Sequence, residues 1–364
     1  MRLIHGLRAI NSPRRMSENV LFLTPSRGLG GGIERYVETL EWAFDHLGVK
    51  RWRIDLRDSG PSAHAQMLRQ AARLIPEIPT PPRLILAHRA LLPVASLLTQ
   101  ARPVTGISVI CHGSDTWGST LKPRRYLENR LMARPGVRVV AASSFTAGAL
   151  SKTCRAAILP PGISSTWFET LVDASTRFHE REPGVHLVTA FRLADWKSKG
   201  LPELLAAVEA VGRVDLHLTV CGTGPVTPEL RRLVGESRRC TLKSELTDSQ
   251  LATELATADL FVLATRTKAG TDASGEGFGL VLLEAQIAGT AVIAPAYGGS
   301  HDAYIDGITG RAPADESSNS LARLIDELLR DPHKLVHMSR RATEWARESF
   351  SPERYATIAT EMLL

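Results

Sequence analysis

The chain has 364 residues, 43% hydrophobic and 23% charged, which excludes disorder, collagen and coiled coil for most of its length and predicts two domains. The formal net charge of +6 is unevenly spread: residues 1–170 hold 23 Lys and Arg against 11 Asp and Glu, and residues 171–364 hold 21 against 27. The first half is therefore expected to attract anions. No apolar run approaches the roughly 18 residues that would cross a bilayer. The first fifteen residues carry Arg2, Arg8, Arg14 and Arg15 without a continuous apolar core, so they do not read as a secretory signal. Residues 1–17 read as a basic tail, with Met16 an alternative start. Cys111, Cys154, Cys221 and Cys240 show no C-x-x-C spacing, which argues against a zinc site or disulfide framework and for a reducing, cytoplasmic setting.

Short apolar runs alternate with helical patterns along the chain, an α/β signature with parallel sheets. Asn19–Thr24 reads as a first buried strand and Gly31–Leu47 as an amphipathic helix. Strands follow at Leu84–Ala87, Ile107–Cys111, Arg138–Ala142 and Ala156–Leu159, with helical stretches at His64–Ile75 and Tyr126–Met132 between them. Residues 164–184 lose the strand period and read as a linker, set at 167–184 between domains 18–166 and 185–349. The alternation then restarts, with strands at Val185–Phe191, Leu216–Cys221, Thr241–Lys243, Leu260–Ala264 and Ala291–Ala294. Helices are expected at Pro202–Val211, Asp248–Ala256, Leu280–Ala288, Ser317–Leu329 and His333–Glu348. Two α/β units of similar length suggest two Rossmann-like domains, with ligands beyond the carboxyl ends of the strands, in a cleft between them.

Four segments carry candidate chemistry. Glu276 and Glu284 have seven residues between them in SGEGFGLVLLE, with Gly277 and Gly279 before an apolar helical run. Glycines at a helix start let backbone N–H groups approach a phosphate. Eight helical steps would set the two carboxylates roughly 12 Å apart, each able to grip a pair of hydroxyls. In FRLADWKSKG, Arg192 and Lys199 lie on a strand-to-helix loop suited to neutralising a diphosphate, with Lys197 an alternative to Lys199. Gly28–Glu34 is a glycine-rich loop that fails as a dinucleotide fingerprint: no third glycine is in place, and no clear second strand ending in an acid follows. His112, in CHGSD, opens a loop at a strand's carboxyl end. There is no D-x-D, no phosphate-loop lysine motif and no G-x-S-x-G elbow.

Together these pieces resemble the retaining glycosyltransferases of family four, which have the GT-B fold. The resemblance runs from about residue 19 to the C-terminus: G-G-I-E-R at 31–35, the H-G segment at His112, Pro161-Gly162-Ile163, the Arg192…Lys199-Gly200 pair, the G-x-G turn at Gly222 and Gly224, and the spaced Glu276 and Glu284. It implies a nucleotide-sugar site in the C-terminal domain and an acceptor site in the N-terminal one. Glu276 would contact the transferred sugar, Glu284 the ribose, and Arg192 with Lys199 the diphosphate. Gly277, Phe278, Gly279 and Leu280 would meet sugar and phosphate, Gly31 and Gly32 would close from the other domain, and His112 would lie beside the sugar. The base would rest near Thr241, Leu242 and Lys243, and the final helix, about Pro352–Leu364 within 350–364, would cross back onto the N-terminal domain. The segment Thr265–Gln286 looks closest to phosphatidylinositol mannoside mannosyltransferases, with a polar insert and L-E-A-Q, which hints at GDP-mannose.

The expected activity is hexosyl transfer with retention from a GDP- or UDP-linked sugar, with no cofactor and no metal. Growing charge on the leaving diphosphate would be met by Arg192, Lys199 and helix amides. The basic half fits an anionic or lipid-linked acceptor, or peripheral docking on the inner membrane face, with Lys122, Arg124, Arg125, Arg130 and Arg134 as the patch. The nearest alternative is a nucleotide-sugar epimerase or hydrolase. A basic nucleic-acid or regulatory module is the rival from another class, but the charge is not interleaved with aromatics and no nucleic-acid partner is expected.

Overall fold

The computed structural model describes residues 18–25, 32–58, 60–117, 122–177, 183–268 and 273–364, with Ser114 and Lys122 described by backbone alone. The tail 1–17, Gly31 and the insert residues 269–272 lie outside the described residues.

Two six-stranded sheets, every adjacent pair parallel, form two lobes. In lobe 1, β1 (Val20–Thr24), β2 (Arg51–Asp55), β3 (Arg83–Leu86), β4 (Gly106–Cys111), β5 (Val137–Ala141) and β6 (Ala156–Ile158) lie in the order β2-β1-β3-β4-β5-β6. In lobe 2, β7 (Val185–Ala190), β8 (Leu216–Gly222), β9 (Cys240–Ser244), β10 (Leu260–Val262), β11 (Val292–Ile293) and β12 (Gly310–Arg311) lie in the order β12-β11-β10-β7-β8-β9. Strand order reverses beside β1 in one sheet and beside β7 in the other. At such a switch point adjacent crossovers run to opposite faces and leave a crevice at the strands' carboxyl ends.

β1 shows why the strands read as continuous apolar runs. Both of its faces are covered by helices, so all five residues are buried. Leu21 and Leu23 join the core under helices Pro61–Leu74 and Leu92–Ala101, while Val20 and Phe22 face helix Gly32–His46 and the C-terminal helix. That last helix, Pro352–Leu363, buries Tyr355, Ala359 and Leu363 against lobe 1, and Ser108 Oγ of β4 donates to the Leu363 carbonyl at 2.7 Å. The preceding helix, Pro332–Ser349, packs Ala346 on lobe 2, so the chain end crosses back between the lobes as expected.

Two expectations are corrected. Residues 165–176 of the expected linker form helix Ser165–Thr176, whose Trp167, Leu171 and Ala174 are buried in lobe 2; the apolar spacing is helical, which is why the strand period vanishes there. A second strand ending in an acid does exist: β2 pairs in register with β1, Val20 opposite Arg51, and ends at Asp55. Its RWRID sequence hides it, because as an edge strand it keeps charged residues on one face. Arg51 and Arg53 both reach the carboxylate of Glu41 on the neighbouring helix, at 2.5 and 2.7 Å.

Candidate active site

The carboxyl ends of the two sheets face a cleft of about 690 Å³. Gly32, Arg35, Tyr36, His112 and Pro161 line it from lobe 1. From lobe 2 come Phe191, Arg192 and Lys199 after β7, Gly222 and Thr223 at the end of β8, Leu246 and Leu251 beyond β9, and Glu276–Val281 with Glu284.

Helix Leu280–Ile287 begins only at Leu280, after Gly279 in the left-handed region at φ 80°. Glu276, Gly277 and Phe278 therefore precede the helix in an irregular loop, and the helical spacing expected between Glu276 and Glu284 does not hold. The loop is pinned by Phe278, buried in the lobe 2 core, and by Gly299 N–H donating to the Glu276 carbonyl at 2.7 Å. It also touches lobe 1: a Cβ on Gly277 would overlap the His112 carbonyl oxygen. The helix N-terminus opens into the cleft with Leu280 and Val281 among its lining.

Glu276 and Lys199 form one unit. Lys199 Nζ lies 2.9 Å from Glu276 Oε2, and Thr265 Oγ1 donates to the same oxygen at 2.7 Å. Gly200, at φ 69°, lets the loop after Lys199 pass against the Ala264 carbonyl, where any side chain would collide with backbone. Lys197 points elsewhere, to Glu229 at 2.9 Å and over the Trp196 ring, and is absent from the cleft lining. Of the two lysines, Lys199 lines the cleft and Lys197 does not. Arg192 lines the cleft, half exposed, and its Nη2 sits 2.7 Å from Asp195.

Glu284 accepts from Trp167 Nε1 at 3.0 Å and from Arg35 Nη1 of lobe 1 at 2.9 Å. The carboxylate holds the Arg35 guanidinium above its ordinary value. His112 Nε2 lies 2.7 Å from the Ala87 carbonyl. A carbonyl only accepts, so Nε2 carries the proton and Nδ1 is left as an acceptor. The ring packs edge-on against Tyr36 at 5.3 Å, and burial pushes its pKa below the usual histidine value, keeping it neutral at pH 7. Asp115 Oδ1 accepts from the backbone N–H groups of His112 and Gly113, both at 2.9 Å, which fixes the loop.

Several expected residues fall outside the cleft. Thr241, Leu242 and Lys243 lie along β9 and are not part of the lining: Thr241 Oγ1 is 2.9 Å from His217 Nε2, and Lys243 pairs with Glu254 at 2.6 Å. The apolar wall at that end is Leu246 and Leu251, one turn of chain later. Gly224 sits beyond the lining residue Thr223, at φ 97°, its N–H donating to Glu245. The residues of the basic patch lie on helix Lys122–Met132 or just after it, the Lys122 side chain being outside the described part, and each of the others has a partner. Arg124 pairs with Glu128, Arg125 reaches the Asp115 carbonyl, Arg130 lies over Tyr126, and Arg134 bonds Ser96. Tyr126 and Leu127 are exposed beside them. Arg35, Trp167, Thr265, Leu246 and Leu251 were not assigned roles from sequence. Arg35 lies inside the quoted G-G-I-E-R motif, and only its long-range contact gives it one. Among the described residues no three His, Cys, Asp or Glu side chains gather closely enough to hold a metal ion.

The profile of the family "Glycosyl transferases group 1" matches residues 181–345. The chain is 30% identical over 287 residues to a GDP-mannose-dependent alpha-(1-6)-phosphatidylinositol monomannoside mannosyltransferase of Mycobacterium tuberculosis, covering 74% of this chain and 72% of that protein. The like-named enzyme of Mycolicibacterium smegmatis is 30% identical over 206 residues, 53% of this chain, and there the match spans about half of the relative, 52%. Among solved structures, sucrose-phosphate synthase of Thermosynechococcus elongatus superposes with a TM-score of 0.78 at 19% identity, over 95% of this chain and 98% of that one, so the two share the fold.

Proposed function

The chain belongs to the group 1 glycosyl transferases, with the GT-B fold, and on that premise we propose that it moves mannose from GDP-mannose to a hydroxyl of an anionic, lipid-linked acceptor, retaining the anomeric configuration and needing no metal. The observation that carries this reading is the convergence of Lys199, Glu276, Arg192 and the helix start at Leu280 on one cleft wall, with His112 opposite. Lys199, Arg192 and the N–H groups at the start of helix Leu280–Ile287 set positive charge where a diphosphate leaving group gains negative charge. Electrostatic stabilisation of that kind replaces a metal ion. Glu276, oriented by Lys199 and Thr265, accepts from hydroxyls of the transferred sugar. Glu284 accepts from the ribose. Leu246 and Leu251 supply the apolar wall for the base.

The acceptor comes from lobe 1. Retention follows if it approaches on the face the diphosphate leaves, and the departing phosphate oxygen takes the acceptor proton. The C–O bond to the diphosphate breaks, the new C–O bond forms, and the proton ends on the nucleoside diphosphate. The names of the mannosyltransferase relatives support mannose and a phosphoinositol-bearing acceptor. The basic character of the first half supports an anionic acceptor and contact with a membrane surface.

The test is incubation with GDP-mannose, phosphatidylinositol monomannoside and EDTA, with the product's anomeric linkage read by NMR. An α-linked mannosyl product formed at an undiminished rate in EDTA is expected. Loss of transfer in EDTA refutes metal independence, a β linkage refutes retention, and GDP-mannose consumed without transfer makes the enzyme a hydrolase.

A further inference from the structure

Arg35 starts in lobe 1 and ends on lobe 2. It sits in the first turn of helix Gly32–His46, and its Nη1 donates to Glu284 Oε1 across the cleft. Trp167, in lobe 2, donates its Nε1–H to the same oxygen, and the Arg35 guanidinium lies 5.8 Å from the Trp167 ring centroid. Three side chains from three helices thus meet at one carboxylate oxygen. The Glu284 side chain is only 4% exposed, against 37% for Arg35.

A carboxylate so nearly sealed from water is costly unless it is paired. The charge that pairs it is carried by the opposite lobe. Both donors fall on Oε1 and neither on Oε2, and an ionised carboxylate has about four acceptor sites shared between its two oxygens. Tethering Oε1 fixes the plane of the group and leaves Oε2 to take a ligand hydroxyl without a search over rotamers. Preorganisation of that kind raises affinity by lowering the ordering cost of binding.

We propose that Arg35, assisted by Trp167, is a positioning residue of the donor site: it orients the Glu284 carboxylate toward the ribose hydroxyls of a nucleoside diphosphate, and by bridging the lobes it makes ribose recognition depend on their apposition. The proposal rests on the reading of Glu284 as the ribose acceptor. Arg35 itself need not touch the nucleotide, so its loss should act on one part of the ligand only.

The experiment is a cycle of protein and ligand deletions, read as dissociation constants by calorimetry on the full chain. The ligands are GDP and 2′,3′-dideoxy-GDP, and UDP with its dideoxy analogue so that the choice of base does not decide the result. The variants are Arg35→Met, which keeps the stem over Trp167, and Arg35→Lys, which keeps the charge. In the native protein, losing the hydroxyls should weaken binding roughly 10- to 100-fold, the range for hydrogen bonds to a charged group. In Arg35→Met that ratio should fall to about threefold or less, with dideoxy-GDP bound nearly as in the native protein, and Arg35→Lys should restore part of it. A general structural defect would weaken both ligands alike and leave the ratio intact. A native ratio in Arg35→Met overturns the proposal while leaving the donor site standing. Equal binding of both ligands by the native protein overturns the ribose role of Glu284, and the proposal with it, whereas the mannosyl-transfer assay independently decides the enzyme class.

Discussion

Replacing Gly277 by Ala should separate nucleotide binding from transfer. Gly277 has no positive φ to defend, so the effect is one of space. Its Cβ would overlap the carbonyl oxygen of His112 by more than an ångström relative to ordinary contact, and the obstacle is backbone, which cannot rotate away. The His112 loop is itself held by Asp115, and the Gly277 loop by Gly299 and the buried Phe278. The cheaper response is for the lobes to part. Overpacking of this size costs about 1–3 kcal/mol when it cannot be relieved. Spent on opening the cleft, the same energy lowers the population of the joined arrangement about 5- to 150-fold. Turnover with GDP-mannose should fall by that factor. Affinity for 2′,3′-dideoxy-GDP, which lacks the ribose hydroxyls whose recognition depends on lobe apposition, should change far less, because the lobe 2 groups Arg192, Lys199, Leu246 and Leu251 stay where they are. Steady-state kinetics beside dideoxy-GDP calorimetry read both numbers. Native kcat in Gly277→Ala would refute the claim that lobe contact at this point is needed for transfer, and an equal loss of dideoxy-GDP binding would show that the donor loop itself had collapsed.

Lys199→Ala should cut transfer roughly 10²- to 10³-fold, the cost of removing one preorganised charge-stabilising donor, while Lys197→Ala, held at the exposed Glu229 pair, should stay within about twofold; equal effects in a transfer assay would undo the lysine assignment. Arg89→Met should lower the stability of the chain by about 3–5 kcal/mol in denaturant unfolding, because it strands Glu128, whose side chain is 3% exposed and bonded to Arg89 at 2.8 Å; a loss under about 1 kcal/mol would mean that Arg124, also paired to Glu128, suffices. His112 and His88 both have pKa values lowered chiefly by burial. The unfolded chain therefore binds protons below about pH 6.5 that the native protein does not, so their contribution is complete above that pH and is lost as pH falls through it. His112→Gln, which keeps a donor for the Ala87 carbonyl, should flatten the fall in the denaturation midpoint between pH 7 and 5, and an unchanged slope would contradict a neutral, buried His112.

The strands of the fold were legible because sheets covered on both faces write themselves as unbroken apolar runs, as in VLFLT. β2 was not, because at the sheet edge its Arg51 and Arg53 break the apolar run and pair with Glu41 of the neighbouring helix. The helix Ser165–Thr176 reads as a linker in the sequence because its partners, Leu282 and Phe261 among them, lie about a hundred residues away. Within the site, motif spacing located Glu276, Lys199 and His112, whose positions are set locally by a turn or a strand end. The strand residues Thr241, Leu242 and Lys243 do not line the cleft, whose lining at that end is Leu246 and Leu251 beyond the strand. Motif spacing gave Arg35 no role because the contact with Glu284 spans 249 residues and two lobes.

On the proposed function, the cleft holds a nucleoside diphosphate sugar on charges supplied by the chain itself. Thermal unfolding with GDP, GDP-mannose, UDP, UDP-glucose and no ligand, each with and without EDTA, tests it most directly. A ligand at a hundred times its dissociation constant stabilises the folded state by about 2.7 kcal/mol. The expected result is a rise in midpoint with GDP and GDP-mannose that EDTA does not alter and that Lys199→Ala reduces. No rise with any nucleotide, or a rise that EDTA abolishes, would contradict it.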